Sequence, residues 1–184
     1  METVSIETAS RESGKRDARA ARRAGQTPCV VYGGGGEATS FTMSEMRLSK
    51  LASTGDAVVA DLSVNGTTVK AVLKKVDFHP VTDRPMHADW QELSPGSKVK
   101  LRVPIRYKGT PKGQLIGGKT KKVMHEINIV ADAEHVPAHI AVEITQLNVG
   151  ETIFVENLAR EGVTFMAPPR AKVVMVSRPK AGRS

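Results

Sequence analysis

Asn65-Gly66 lies between two β-patterned runs, Val58–Val64 and Thr67–Val76, and no other short-range feature constrains the chain as tightly. A two-residue hairpin turn needs positive φ at its central positions, which Asn and Gly tolerate better than other residues. The dipeptide therefore predicts two adjacent antiparallel strands. Similar short apolar runs, punctuated by Gly, Pro and Asn, recur along the 184 residues. Val4, Ile6 and Thr8 alternate with Ser5 and Glu7, the period of a half-buried strand. Pro28 opens Cys29-Val30-Val31-Tyr32, which ends in four glycines, and another strand runs through Met86 to Leu93. Beyond that, strands are predicted at 99–107, around 123–130, and at 138–147, 151–156 and 171–177. This pattern gives a mainly β chain, a barrel or sandwich rather than a doubly wound parallel sheet.

Two short helices interrupt it. KRDARAARRAG reads as an Ala/Arg helix with Asp17 as N-cap and Gly25 as its stop. Thr42 with Glu45 reads as a capping box for a helix through about Ser53, stopped near Gly55.

The net charge of +8 is unevenly spread. Residues 1–97 carry 12 basic and 12 acidic side chains, whereas 98–122 carry nine basic and no acidic ones. Residues 123–163 hold seven acids against Arg160 alone, and 164–184 add five basic residues without an acid. The sign changes and the turn-rich Leu93-Ser94-Pro95-Gly96-Ser97 divide the chain into domains 1–94 and 95–179, with a flexible tail at 180–184. A basic excess of this size points to a polyanionic partner. With 4% aromatic residues, a row of base-stacking rings is excluded as the main binding mode. One cysteine, Cys29, excludes a disulfide framework, and its apolar neighbours make it a buried thiol. The first residues hold no apolar run of signal-peptide length, and nowhere do 18 apolar residues run together. The expectation is a cytoplasmic chain without a membrane partner.

Gly113 to Thr120, G-Q-L-I-G-G-K-T, satisfies the phosphate-loop pattern G-x-x-x-x-G-K-[ST]. In that reading Lys119 reaches the β/γ-phosphates and Thr120 holds Mg²⁺. The context opposes it. Gly109-Thr110-Pro111-Lys112 replaces the required buried strand, and too little chain follows to complete such a fold. The expectation is a Gly/Lys loop between strands, with a small nucleotide-binding protein as the disfavoured alternative. Of five histidines only His135 and His139 have ligand-like spacing, and Pro137 disfavours the helix that would aim both at one metal. The sequence therefore predicts no enzyme, catalytic residue, metal, cofactor or small-molecule substrate.

A binding face is better marked. Arg11, Lys15, Arg19, Arg22 and Arg23 fall within segment 11–23, which holds six basic side chains against Glu12 and Asp17. Arg19, Arg22 and Arg23 are spaced i, i+3, i+4, a single helix face, and the intervening alanines keep the helix narrow. Guanidinium groups here suit forked phosphate contacts, with structured RNA read by shape.

The order R-E-S-G-K-x-x-A-R-x-x-R, T-P-C-V-V-Y-G-G, V-D-F-H-P-V-T-D-R-P-M-H-A-D-W resembles the bacterial large-subunit ribosomal protein family numbered twenty-five, also called general stress protein Ctc. V-P-I-R-Y-K-G-T-P-K-G, G-G-K, H-E-I-N-I and L-N-V-G-E-T-I-F-V-E-N-L extend the resemblance to the long two-domain form, over residues 3–178. It implies a six-stranded N-terminal β-barrel with short helices that docks on the loop E region of 5S rRNA, followed by a second β-rich domain. It further implies a structural role in the large ribosomal subunit, among rRNA and neighbouring ribosomal proteins. Carried over by position, the RNA-contact candidates are Arg11, Lys15, Arg19, Arg22, Tyr32, His87 and Asp89, with Arg23 added from the helix pattern. His79 and Pro80 match a structural turn. The chain departs from the family at Gly14-Lys15-Arg16-Asp17, where Gly-Lys-Gly-Ala is usual, and at Arg19-Ala20, where two arginines are common. Arg16 or Arg23 is positioned to replace the missing arginine.

Overall fold

In a computed structural model, residues 4–7, 9–10, 14–64, 66–160 and 162–178 are described. The chain divides into two compact units, Met1–Val99 and Lys100–Ser184.

The first unit contains β1 (Val4–Glu7), β2 (Ala9–Ser10), α1 (Lys15–Arg23), β3 (Gln26–Tyr32), β4 (Thr39–Ser44), α2 (Glu45–Ser53), β5 (Val59–Val64), β6 (Thr67–Phe78) and β7 (Pro85–Glu92). Its strands join in the order β1-β5-β6-β7-β3-β4-β2. Consecutive segments of the N-terminal chain thus lie on opposite edges: β1 runs parallel to β5, and β2 pairs antiparallel with β4. β1 and β2 thus stand at the two ends of one curled, seven-stranded sheet. The two strands predicted around the Asn65-Gly66 turn pair antiparallel, with Val64 opposite Thr67 and Gly66 at φ 79°, while Asn65 lies outside the described residues.

Period-2 burial explains why these segments are strands. In β7, Ala88 and Trp90 are fully buried while His87, Asp89 and Gln91 alternate outward. Trp90 packs with Cys29, Val31, Phe41, Met43, Leu48, Leu62 and Val64 in the barrel core. Cys29 is the buried thiol expected from its neighbours.

The helices form where predicted, with different caps. Asp17 is in the first turn of α1, whereas the N-cap is Gly14, in extended backbone. A carboxylate there favours the helix through the macrodipole without serving as cap. Thr42 is buried inside β4, and α2 starts from Ser44 without a side-chain cap. The capping box does not form, because the helix starts after Ser44 and Glu45 is its first residue, where it makes a bidentate pair with Arg84 at 2.7 and 2.6 Å.

The second unit, with β8 entering it from the first, contains β8 (Lys98–Lys108), α3 (Lys112–Leu115), β9 (Lys119–Lys122), β10 (Glu126–Asp132), β11 (Ile140–Glu143), β12 (Thr152–Phe154), β13 (Val163–Phe165) and β14 (Lys172–Ser177). These form a sheet of order β11-β8-β10-β13 and another of order β12-β14-β9. β9 and β13 were not anticipated: β9 is almost all lysine, and β13 is three residues long. Both are set by their partners rather than by their own pattern, as short strands often are.

Candidate nucleic-acid interface

α1 is Ala-rich and buries no residue fully, so the barrel surface holds it by a narrow face. Ala18, Ala21 and Arg22 are half-buried, while Lys15, Arg16, Arg19 and Arg23 are exposed. The last four, with Ala20, line a shallow concavity of about 470 Å³. The i, i+4 series 15-19-23 therefore shares the solvent face, and Arg22 turns toward the protein. This separates Arg22 from the set in which the sequence placed it. The cause is a hydrogen bond, 3.0 Å from Arg22 Nε to the Met86 carbonyl. The adjacent Pro85 carbonyl accepts from Thr27 Oγ1 on β3 at 3.2 Å. Two successive carbonyls at the start of β7 thus tie down both the helix and the strand that follows it. Arg11 lies outside the described residues.

His87 and Asp89 follow Met86 on the outward side of β7, with Nδ1 and Oδ1 3.2 Å apart. Register continues the polar surface onto β6, where Lys75 faces Asp89 and Asp77 faces His87. Lys75 and Asp77 pair at 2.7 Å, and Lys74 Nζ donates to Gln91 Oε1 at 2.9 Å. The hydrogen bond from Lys75 holds the Asp77 carboxyl below its usual range, with the Lys75 and His87 charges adding to it. Tyr32 ends β3 opposite Gln91, about one-third exposed at 37%. Burial, reinforced by the Asp89 charge, raises its phenol pKa above the ordinary value.

The structure thus brings His87 to Asp89, sets Tyr32 in the Asp89 field, and anchors Arg22 one residue before His87. Lys15, Arg19 and Arg23 stand apart on the solvent face of the helix. Lys74, Lys75, Asp77 and Gln91 were not singled out from the sequence. Cross-strand register would have found Lys75 and Asp77, which face Asp89 and His87, whereas Lys74 sits at the register shift of β6 and is found only through its bond to Gln91. His79 builds the turn before β7: its Nδ1 accepts from the Val81 and Thr82 amides, both at 3.3 Å.

The phosphate-loop pattern takes another form. Lys119 and Thr120 lie in β9, antiparallel to β14, instead of opening a helix. The Gly113 amide donates to Leu147 O at 2.8 Å and the Gly118 amide to Gly113 O at 2.9 Å, so neither can cradle a phosphate. A Cβ on Gly113 would come within 2.7 Å of Val149 N, and one on Gly118 within 2.6 Å of Gly113 O. These glycines allow close packing, and the pattern match is coincidental to it. Among the described residues no group of three or more His, Cys, Asp or Glu side chains could hold a metal ion. No helix there is long and apolar enough to cross a membrane.

These features define a two-unit, mainly β protein that offers a basic helix beside a polar sheet surface, a class suited to polyanion recognition. Comparison with known proteins then places it. The Ribosomal L25p family model matches residues 6–90, and that of the Ribosomal protein TL5, C-terminal domain, matches residues 98–180. A large ribosomal subunit protein bL25 from Porphyromonas gingivalis is 34% identical over 173 residues, covering 94% of this chain and 90% of that protein. The bL25 of Chlorobaculum tepidum is 34% identical over 185 residues, 98% of this chain and 93% of its own length. That of Bacteroides thetaiotaomicron is 30% identical over 189 residues, covering 100% and 96%. The chain belongs to the ribosomal L25p family, in its two-domain form.

Proposed function

We propose that this chain is a non-catalytic structural protein of the bacterial large ribosomal subunit, ribosome-associated in the cytoplasm, which binds 5S rRNA through its first unit. The observation that carries this reading is the joint between α1 and β7. Arg22 fixes the helix on the Met86 carbonyl, one residue before the His87–Asp89 pair, and leaves four cations on the helix's solvent face. The helix cations supply the sequence-independent grip on phosphates, and the fixed donors and acceptors on β7 and β3 supply selectivity. Arg16, exposed beside Lys15, takes the place of the arginine absent at position 20. Loop E of 5S rRNA is the region we assign to this surface.

Binding should be salt-steep, because displaced counterions drive it. The full chain should bind 5S rRNA and co-sediment with the large subunit. Arg19→Ala and Arg23→Ala should each weaken 5S binding and lower the salt slope by roughly one unit. Equal affinity and slope in wild type and variants would discard this face.

A further inference from the structure

The second unit holds a cleft that the proposed 5S contact does not use. Tyr107, Gln114, Gly118, Lys119, Thr120 and Lys122 are among the residues that line an open space of about 720 Å³. No carboxylate lines it, although Asp and Glu supply 19 residues of the chain. Its position is set by packing. The tight approach of Gly118 to Gly113, Val149 and Val176 folds α3 back onto β9. The Tyr107 hydroxyl lies between the Met124 and Val173 carbonyls, which share its one proton and fix the ring in place. Lys122 Nζ lies 5.3 Å from the ring centre, a cation–π contact that holds the ammonium beside the cleft. Thr120 Oγ1 and Gln114 Oε1 are 2.8 Å apart across the same region.

We propose that this cleft is a second RNA-binding site, which takes the sugar–phosphate backbone of structured RNA. Lys122, held over the Tyr107 ring, and Lys119, at the head of β9, line the cleft without any described carboxylate, beside the Thr120 hydroxyl and the Gln114 amide. Edge protection accounts for lysines on β9 in general, since β9 is the outer strand of its sheet. That role needs only a charge somewhere along the edge, which Lys121, outside the lining, already provides. It does not require a lysine held over a fixed ring beside a concave space. A free nucleotide fits less well, because the Gly113 and Gly118 amides that would grip its phosphates are already bonded within the protein. The backbone of a folded RNA needs only point cations at phosphate spacing.

The test uses the full chain carrying Arg19→Ala and Arg23→Ala, so that the α1 surface is weakened independently. The probe is an RNA hairpin of about 20 base pairs, longer than the roughly 16 that a shape-reading domain spans, with no 5S sequence. Adding Lys119→Gln and Lys122→Gln should reduce affinity about tenfold and lower the salt slope by about two units. Lys100→Gln with Arg106→Gln removes the same charge from β8, outside the lining, and should cost less than about threefold. Thermal melts confirm that each variant is folded, and Lys119→Gln alone, at an exposed position, serves if the pair is not. Equal losses from the two charge-matched pairs would show diffuse attraction and overturn the cleft. Tight binding of Mg·GTP, or of polyglutamate as strongly as the hairpin, lost with the same lysines, would overturn the RNA assignment.

Discussion

α1 and the lysine cleft are both basic features of the described chain, and they are built in opposite ways. α1 belongs to a region whose charges cancel, yet it concentrates exposed cations on one side of a narrow helix. The cleft belongs to the region holding nine basic and no acidic residues between 98 and 122, but few of those nine line it. Most of the surplus is spread over the solvent sides of strands, where Arg102 pairs with Glu126 at 3.1 Å. Net charge points to a polyanion as partner without locating a contact. Arrangement is what singles out candidate surfaces: α1 is tied by Arg22 to a strand carrying oriented polar groups, and the Tyr107 ring beside the cleft is fixed against two backbone carbonyls.

If the two surfaces are separate, damage to one core should silence only its own surface. Trp90→Ala has the largest expected effect. It empties the centre of the barrel and should cost about 3–5 kcal/mol, unfolding the first unit or lowering its melting temperature sharply. Binding of 5S rRNA should fall with it, while the hairpin affinity that depends on Lys119 and Lys122 persists. Loss of both would show that the surfaces do not act independently. Gly118→Ala makes the reciprocal cut. Its Cβ would meet the Gly113 carbonyl at 2.6 Å and Val176 Cγ1 at 2.8 Å, costing about 1–3 kcal/mol in the second unit. Calorimetry should show that shift with 5S binding retained.

How far these surfaces were legible in the sequence follows from the range of the forces that set them. The β5–β6 hairpin was legible because Asn65-Gly66 encodes its turn locally. β7 was legible because its burial alternates. The helix at 15–23 was legible from composition, but its orientation was not. Spacing placed Arg19, Arg22 and Arg23 together, and only a bond across 64 residues turns Arg22 inward. The capping box failed because pairing with β3, distant from the local pattern, keeps Thr42 in β4 and moves the helix start to Ser44. β9 was illegible because K-T-K-K has no pattern of its own and becomes a strand through β14. Lys75 and Asp77 were hidden until register placed them opposite Asp89 and His87.

A subtler comparison is between Arg22 and Arg19 within α1. If Arg22 acts chiefly as an anchor, Arg22→Ala should lower the melting temperature and weaken 5S binding while changing the salt slope little. Arg19→Ala should reduce the slope by roughly one unit and leave the melting temperature unchanged. Matching salt slopes for the two variants would make Arg22 a direct phosphate contact and merge the two roles.

The smallest expected effect concerns the support beneath that helix. The Glu45 amide donates to the Gly25 carbonyl at 3.1 Å, and its carboxylate receives both bonds from Arg84, so one residue joins the end of α1 to the turn before β7. The side-chain bond from Arg84 is the main reason the Glu45 pKa is lowered, with the Arg84 charge adding to it and burial opposing. A carboxyl depressed on folding stabilises the native state above its unfolded pKa and loses that contribution as pH falls through the folded value. Glu45→Gln should therefore be slightly less stable than wild type at neutral pH, in keeping with an exposed pair. The two denaturation midpoints should converge below the carboxylate range. A difference that persists undiminished into strong acid would mean that the pair contributes through packing rather than charge, and that α1 is held at this end without it.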